Sequence, residues 1–160
     1  MPTPANHVWK PSNARLVTLD SFVPVPRGSV AVAPPPLSWP AKDPGDILDY
    51  IIDISPAVLG NDSDAVATLD VSVSPSNPGD VVVQSTTTDG TRIVLWLTQG
   101  QAGTVYTVTL SIATISGRFL ERSVLLPVLM LSSPTVPPNA IITATGVVIT
   151  DQNGNPVLSS

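Results

Sequence analysis

Catalysis needs a base, a nucleophile or a metal-ligating set brought together, and this chain offers few candidates. The one histidine, His7, lies in a proline-rich N-terminal stretch without the positioned neighbour and pocket that a general base requires. Both lysines, Lys10 and Lys42, lie in the same stretch. Serines and threonines abound further on, but no His or Lys accompanies them to activate a hydroxyl. Cysteine is absent, which excludes thiolate chemistry and disulfides alike. Asp46, Asp49, Asp53, Asp62, Asp64, Asp70, Asp80 and Asp89 cluster in a stretch with no Lys or Arg. They fall in turns and at alternate strand positions, which suits solvated faces and turn caps better than a paired acid and base. Asn61-Asp62-Ser63-Asp64 could present oxygens to Ca²⁺, yet a full ligand set is missing. The Gly100–Gly103 segment lacks the lysine and following helix of a phosphate loop. Trp96 and Tyr106 could stack a sugar. On adjacent strands of a hairpin, core packing is the expected role. No enzymatic activity, cofactor or metal is expected.

The charges of the chain's second half concentrate at Arg118, Glu121 and Arg122. On a strand, Glu121 shares a face with Phe119 and Ser123, while Arg118 and Arg122 share the other face with Leu120. An ion pair must therefore run across strands or to a partner. With charge so scarce, at least one of these arginines should meet an aspartate from the 46–89 stretch. Arg118 and Arg122 are thus candidate interaction residues.

The elements that carry these residues read as strands. Hydrophobic residues make up 42% of the 160 but aromatics only 4%, so the core must be aliphatic, as in packed sheets. Charged residues are 12%, about half the usual share. The net charge of −5 and the lack of a basic patch argue against nucleic acid as a partner. No run of 18 apolar residues spans a membrane, and no signal sequence is visible, so the chain is expected to begin its life in a cytoplasm. Residues 1–45 hold ten of the 18 prolines and read as an extended arm. Its Leu16–Leu19 and Phe22–Val25 are apolar enough to add strands to another subunit's sheet edge, although a plain linker has the same composition. Trp9, Phe22 and Trp39 point to docking, because large rings are rare in linkers. Residues 46–131 alternate with period two over about seven short segments broken by Gly, Pro and Asp. That spacing predicts an all-β fold, an immunoglobulin-like antiparallel β-sandwich. Ile93, Leu95, Leu97 and alternate residues of 104–114 should supply its inner faces. Residues 132–160 form a linker and a C-terminal tail with a hairpin around Asn153-Gly154.

One patterned set has a family match. Lys42–Ser55, Ile93–Thr98, the Gly100/Gly103 pair, Tyr106-Thr-Val-Thr109, Thr114-x-x-Gly117-Arg118 and Glu121-Arg122-Ser123 resemble the fiber–tail adaptor proteins of tailed bacteriophages. The likeness spans residues 42–128. The chain departs from the family pattern at Ile54, where tryptophan is common, and at Gln99. The resemblance implies a non-enzymatic virion protein near the tail or neck that links fibers to the tail body, with the tail body, the tail fiber and the portal or neck as partners. The apolar arm and tail point to a multi-copy ring rather than a free monomer. A capsid decoration or neck-collar protein fits the same composition. A carbohydrate-binding or adhesin sandwich would fit better with a secretion signal.

Overall fold

The alternating runs fold as strands in the computed structural model, which describes residues 12–20, 27–28, 34–58, 63–132 and 139–159. The chain divides into two compact units, Met1–Met130 and Leu131–Ser160.

The first unit is all-β. Its strands are β1 (Leu16–Thr18), β2 (Leu37–Ser38), β3 (Leu48–Asp53), β4 (Val66–Ser74), β5 (Val82–Asp89), β6 (Arg92–Thr98), β7 (Thr104–Thr114) and β8 (Phe119–Val128). They form two four-stranded sheets, ordered β1-β3-β6-β5 and β2-β8-β7-β4. From residue 46 onward the described strands number six, and all pairings among these six are antiparallel. The two short N-terminal strands pair in parallel, β1 on β3 and β2 on β8. Leu16–Thr18 thus adds a strand to its own chain's sheet edge, where the sequence pointed to another subunit's. These short segments cover the outer edges of β3 and β8, which would otherwise leave unpaired backbone groups open to association.

Period two decides which side chains meet. Ile93, Leu95 and Leu97 on β6 face Tyr106, Val108, Leu110 and Ile112 on β7, all fully buried in one cluster. Tyr50, Ile52 and alternate residues of β8 complete it. Each fully buried aliphatic side chain contributes about 1.5–3 kcal/mol. Leu69, Val71 and Val73 of β4 pack on the same core, but Ala67 is displaced by a register shift between Val66 and Thr68 and is exposed. Three side chains of the proline-rich segment, Val17, Leu19 and Trp39, belong to this core as well. The β5–β6 turn is tight, and Gly90 supplies its positive φ of 62°.

The second unit repeats with a period of eight. Ile141, Ile149 and Val157 occupy equivalent places, and Gly146 and Gly154 both turn with φ 82°. The backbone bonds close a ring: Ile149 N donates to Ile141 O (2.9 Å), Val157 N to Ile149 O (2.8 Å), and Ile141 N to Val157 O (2.8 Å). Three antiparallel bridges flank the ring, Ile142–Val148, Thr150–Pro156 and Ala140–Leu158. The Thr150–Pro156 bridge spans the Asn153-Gly154 turn that the sequence marked. The other two give the unit a three-fold pseudo-symmetry that the sequence reading missed.

Candidate interaction surface

Before β1, Ser12 caps a single turn of 3-10 helix, Asn13–Arg15, and places Arg15 over the sheet. Arg15 donates from Nη2 to Asp49 Oδ1 (2.7 Å) and from Nε to Asp49 O (2.6 Å), while Ser12 N donates to Asp49 Oδ2 (3.0 Å). Burial would push the Asp49 carboxyl up, but the Ser12 amide and the Arg15 guanidinium outweigh it and hold the group below its ordinary range. The same guanidinium stands 5.9 Å from the Tyr50 ring centroid. These contacts fasten the start of β1 to β3.

The β7–β8 turn is fastened in another way. Asp64, whose side chain is fully buried, accepts from Ser116 N (3.1 Å), Ser116 Oγ, Ala65 N (3.0 Å) and Arg118 Nη1 (3.1 Å). Arg118 Nη1 also donates to Val58 O (2.8 Å), and Ile115 N donates to Ala65 O (2.9 Å). The Ser116 hydroxyl leads the bonds that hold the Asp64 carboxyl below its ordinary range. The turn is thereby tied to the segments before β4, and its large side chains stay outside: Ile115 is 70% exposed and Phe119 69%. Arg118 meets an aspartate of the 46–89 stretch, as the scarcity of charge led us to expect.

At the other end of β7, Tyr106 Oη donates to Asp80 Oδ1 (2.6 Å) and accepts from Gln101 N (2.9 Å). Asp80 also accepts from Asn77 N (2.7 Å), Asn77 Nδ2 (3.1 Å) and Gln101 Nε2 (3.3 Å). The Tyr106 hydroxyl is the chief cause of the lowered Asp80 pKa, and burial, then Asp80, raises the pKa of Tyr106. Gly100 is required here: its φ is 112°, and a Cβ would stand 2.8 Å from Val81 Cγ2 and 3.0 Å from Val128 Cγ2. Lys42, fully buried, donates from Nζ to Asp43 O (2.7 Å), Gln99 O (2.8 Å) and Pro44 O (3.5 Å). Burial lowers its pKa, while Asp46 and Asp43 oppose the shift.

The residues marked in the sequence are therefore separated. Trp39 is 2% exposed, packs edge-on to Tyr50 at 5.2 Å and donates from Nε1 to Ile51 O (3.4 Å), so this ring docks on its own chain. Arg122 forms a two-pronged pair with Asp20, Nε to Oδ1 and Nη2 to Oδ2, both 2.9 Å. Trp9 and Phe22 lie outside the described residues, as do Asn61 and Asp62 of the candidate Ca²⁺ loop. Its Asp64 is committed to Ser116 and Arg118, and among the described residues no group of three His, Cys, Asp or Glu could hold a metal. The buried Lys42, the Asp80–Tyr106 pair and the exposed Phe119 escaped the sequence reading. For Lys42 the usable signal was its place beside Asp43 and Asp46, ahead of a buried strand. No described helix is long and apolar enough to cross a membrane.

No curated protein matches the chain. The family described as podophage GP4 fiber-tail adaptor protein gp77 matches residues 42–127, a span running from the buried lysine to the last residue but one of β8 and including β3 to β7. That is more than half of the chain, which belongs to the podophage fiber–tail adaptor family.

Proposed function

We propose that this structural protein of a phage virion joins tail fibers to the tail or neck, in a multi-copy ring, without catalysing a reaction. The observation that carries the reading is the family match over 42–127, which covers six of the eight strands of the two-sheet body, the last residue of β8 excepted. The finer fold assignment is immunoglobulin-like. Sheet orders β1-β3-β6-β5 and β2-β8-β7-β4 follow the A-B-E-D and A′-G-F-C arrangement of such sandwiches, with β1 running parallel where an antiparallel strand is usual. Tyr106, near the start of β7, bonds back to the backbone five residues upstream, which supports the same reading as a tyrosine corner. Within this proposal, Trp9, Phe22 and the 132–160 segment contact neighbouring virion proteins, while 16–19 and 37–39 serve the domain's own sheets and core. The test is a phage lacking the gene. Tail-competent particles without fibers are expected by negative-stain microscopy. Fully fibered particles overturn the joining role, and gold-labelled protein over the capsid shell would assign it to decoration instead.

A further inference from the structure

The two sheets present unlike outer faces. On β3 and β6, Asp49, Ile51 and Val94 alternate away from the core yet are buried. On β4 the outward positions are exposed, on β8 they are exposed from Phe119 to Ser123, and on β7 those from Thr107 to Ala113 are half-buried. Register sets them in rows: Ser72–Thr109–Ser123, then Asp70–Ser111–Glu121, then Thr68–Ala113–Phe119. The Thr109 and Ser123 hydroxyls bond each other at 2.9 Å, and Ser111 donates to Glu121 at 3.1 Å. The outward positions of these three strands carry two charges, Asp70 and Glu121, both negative. Neighbouring Arg122 has the opposite parity and is held by Asp20.

Phe119 stands at the end of these rows, in the row next to the two carboxylates, and is 69% exposed. Its turn is already ordered by the Asp64 bonds, so docking the ring costs little further conformational entropy. A fixed aromatic anchor bordered by polar groups is the composition of an interface hot spot.

We propose that the outer face of β4-β7-β8 docks a different virion protein, one that offers an apolar pocket for Phe119 and places Lys or Arg opposite Asp70 and Glu121. Charge argues against pairing of this face with itself in a second copy. A two-fold pairing of the face with itself would bring the same carboxylates together on a chain of net charge −5. The inference rests on the adaptor reading and names the chemistry of its partner.

The test places p-benzoyl-phenylalanine at position 119 of the full-length chain in assembled phage and irradiates intact virions. A cross-link to a different virion protein, at a peptide containing Lys or Arg, is expected. In parallel, Phe119→Ser and the pair Asp70→Lys with Glu121→Lys should each lower incorporation about tenfold or more. Melting temperatures of the purified variants should not fall, because all three side chains are exposed. Cross-linking only to a second copy, or incorporation of both variants at the wild-type level, overturns the proposal and leaves the adaptor role standing. Absence of the wild-type chain from purified virions overturns both.

Discussion

Two tyrosines share a sheet sandwich and have opposite relations to their hydroxyls. Tyr106 Oη is bonded on both sides, to Asp80 and to Gln101. Tyr50 Oη is buried without a partner among the described residues. The same substitution should therefore act in opposite directions. Tyr106→Phe leaves Asp80 Oδ1 with only the long bond from Gln101 Nε2 and strands the Gln101 amide, and should cost about 1–3 kcal/mol in urea unfolding. Tyr50→Phe removes an unpaired hydroxyl and should be neutral or stabilising. Burial pushes the Tyr50 pKa from 10.0 up to about 12, so the fold favours the neutral phenol. Its contribution is present below pH 10.0 and is lost as the pH rises towards 12, a loss that Tyr50→Phe should lack. The acid limb has the reverse sign. Asp49, Asp64 and Asp80 are held below their ordinary value of 3.8, so their stabilisation is full above that pH and fades as the pH falls through the folded values. Melting temperature should drop below about pH 4, and Asp80→Asn should flatten that drop.

β4, β7 and β8 were legible because their faces differ, whereas β3 is buried on both faces and β5 is exposed over almost its whole length. The limits of β6 and β7 were legible in the runs 92–98 and 104–114, but which alternate residues of 104–114 face inward was not, because a one-residue slip exchanges inside and outside. The proline-rich stretch was harder for a physical reason. β1 and β2 are three and two residues long, too short to show a period, and each needs a partner strand far along the chain. Trp39 shows what the composition hid, since its burial depends on Tyr50 and Ile51 rather than on its neighbours in sequence. Trp39→Ala should cost about 3–5 kcal/mol, measured by chemical denaturation. A cost near that of an exposed site would mean that the segment lies on the domain without joining its core. Candidate surface residues were the least legible. Arg118 was found through charge scarcity, whereas the exposure of Phe119 follows from a turn anchored at Asp64, a contact 52 to 54 residues away in sequence.

Across the whole chain, the family match and the described structure account for different parts. The match begins at Lys42, whose ammonium ties three backbone carbonyls together from a fully buried site. Lys42→Met keeps the length of the side chain but leaves those carbonyls without their donor, and should lower stability by about 1–3 kcal/mol in urea unfolding. The repeat of the second unit lies outside the match. Its ring has a further property. Ser159 N donates to Asn139 O at 2.8 Å, and Asn139 Nδ2 donates to Ser159 O at 3.3 Å, so the first and last residues of the repeat are bonded neighbours. The path out of the ring begins where the path in ended. Such a segment is portable: grafted into a surface loop of an unrelated host, it would enter and leave at one point without prying the host's strands apart.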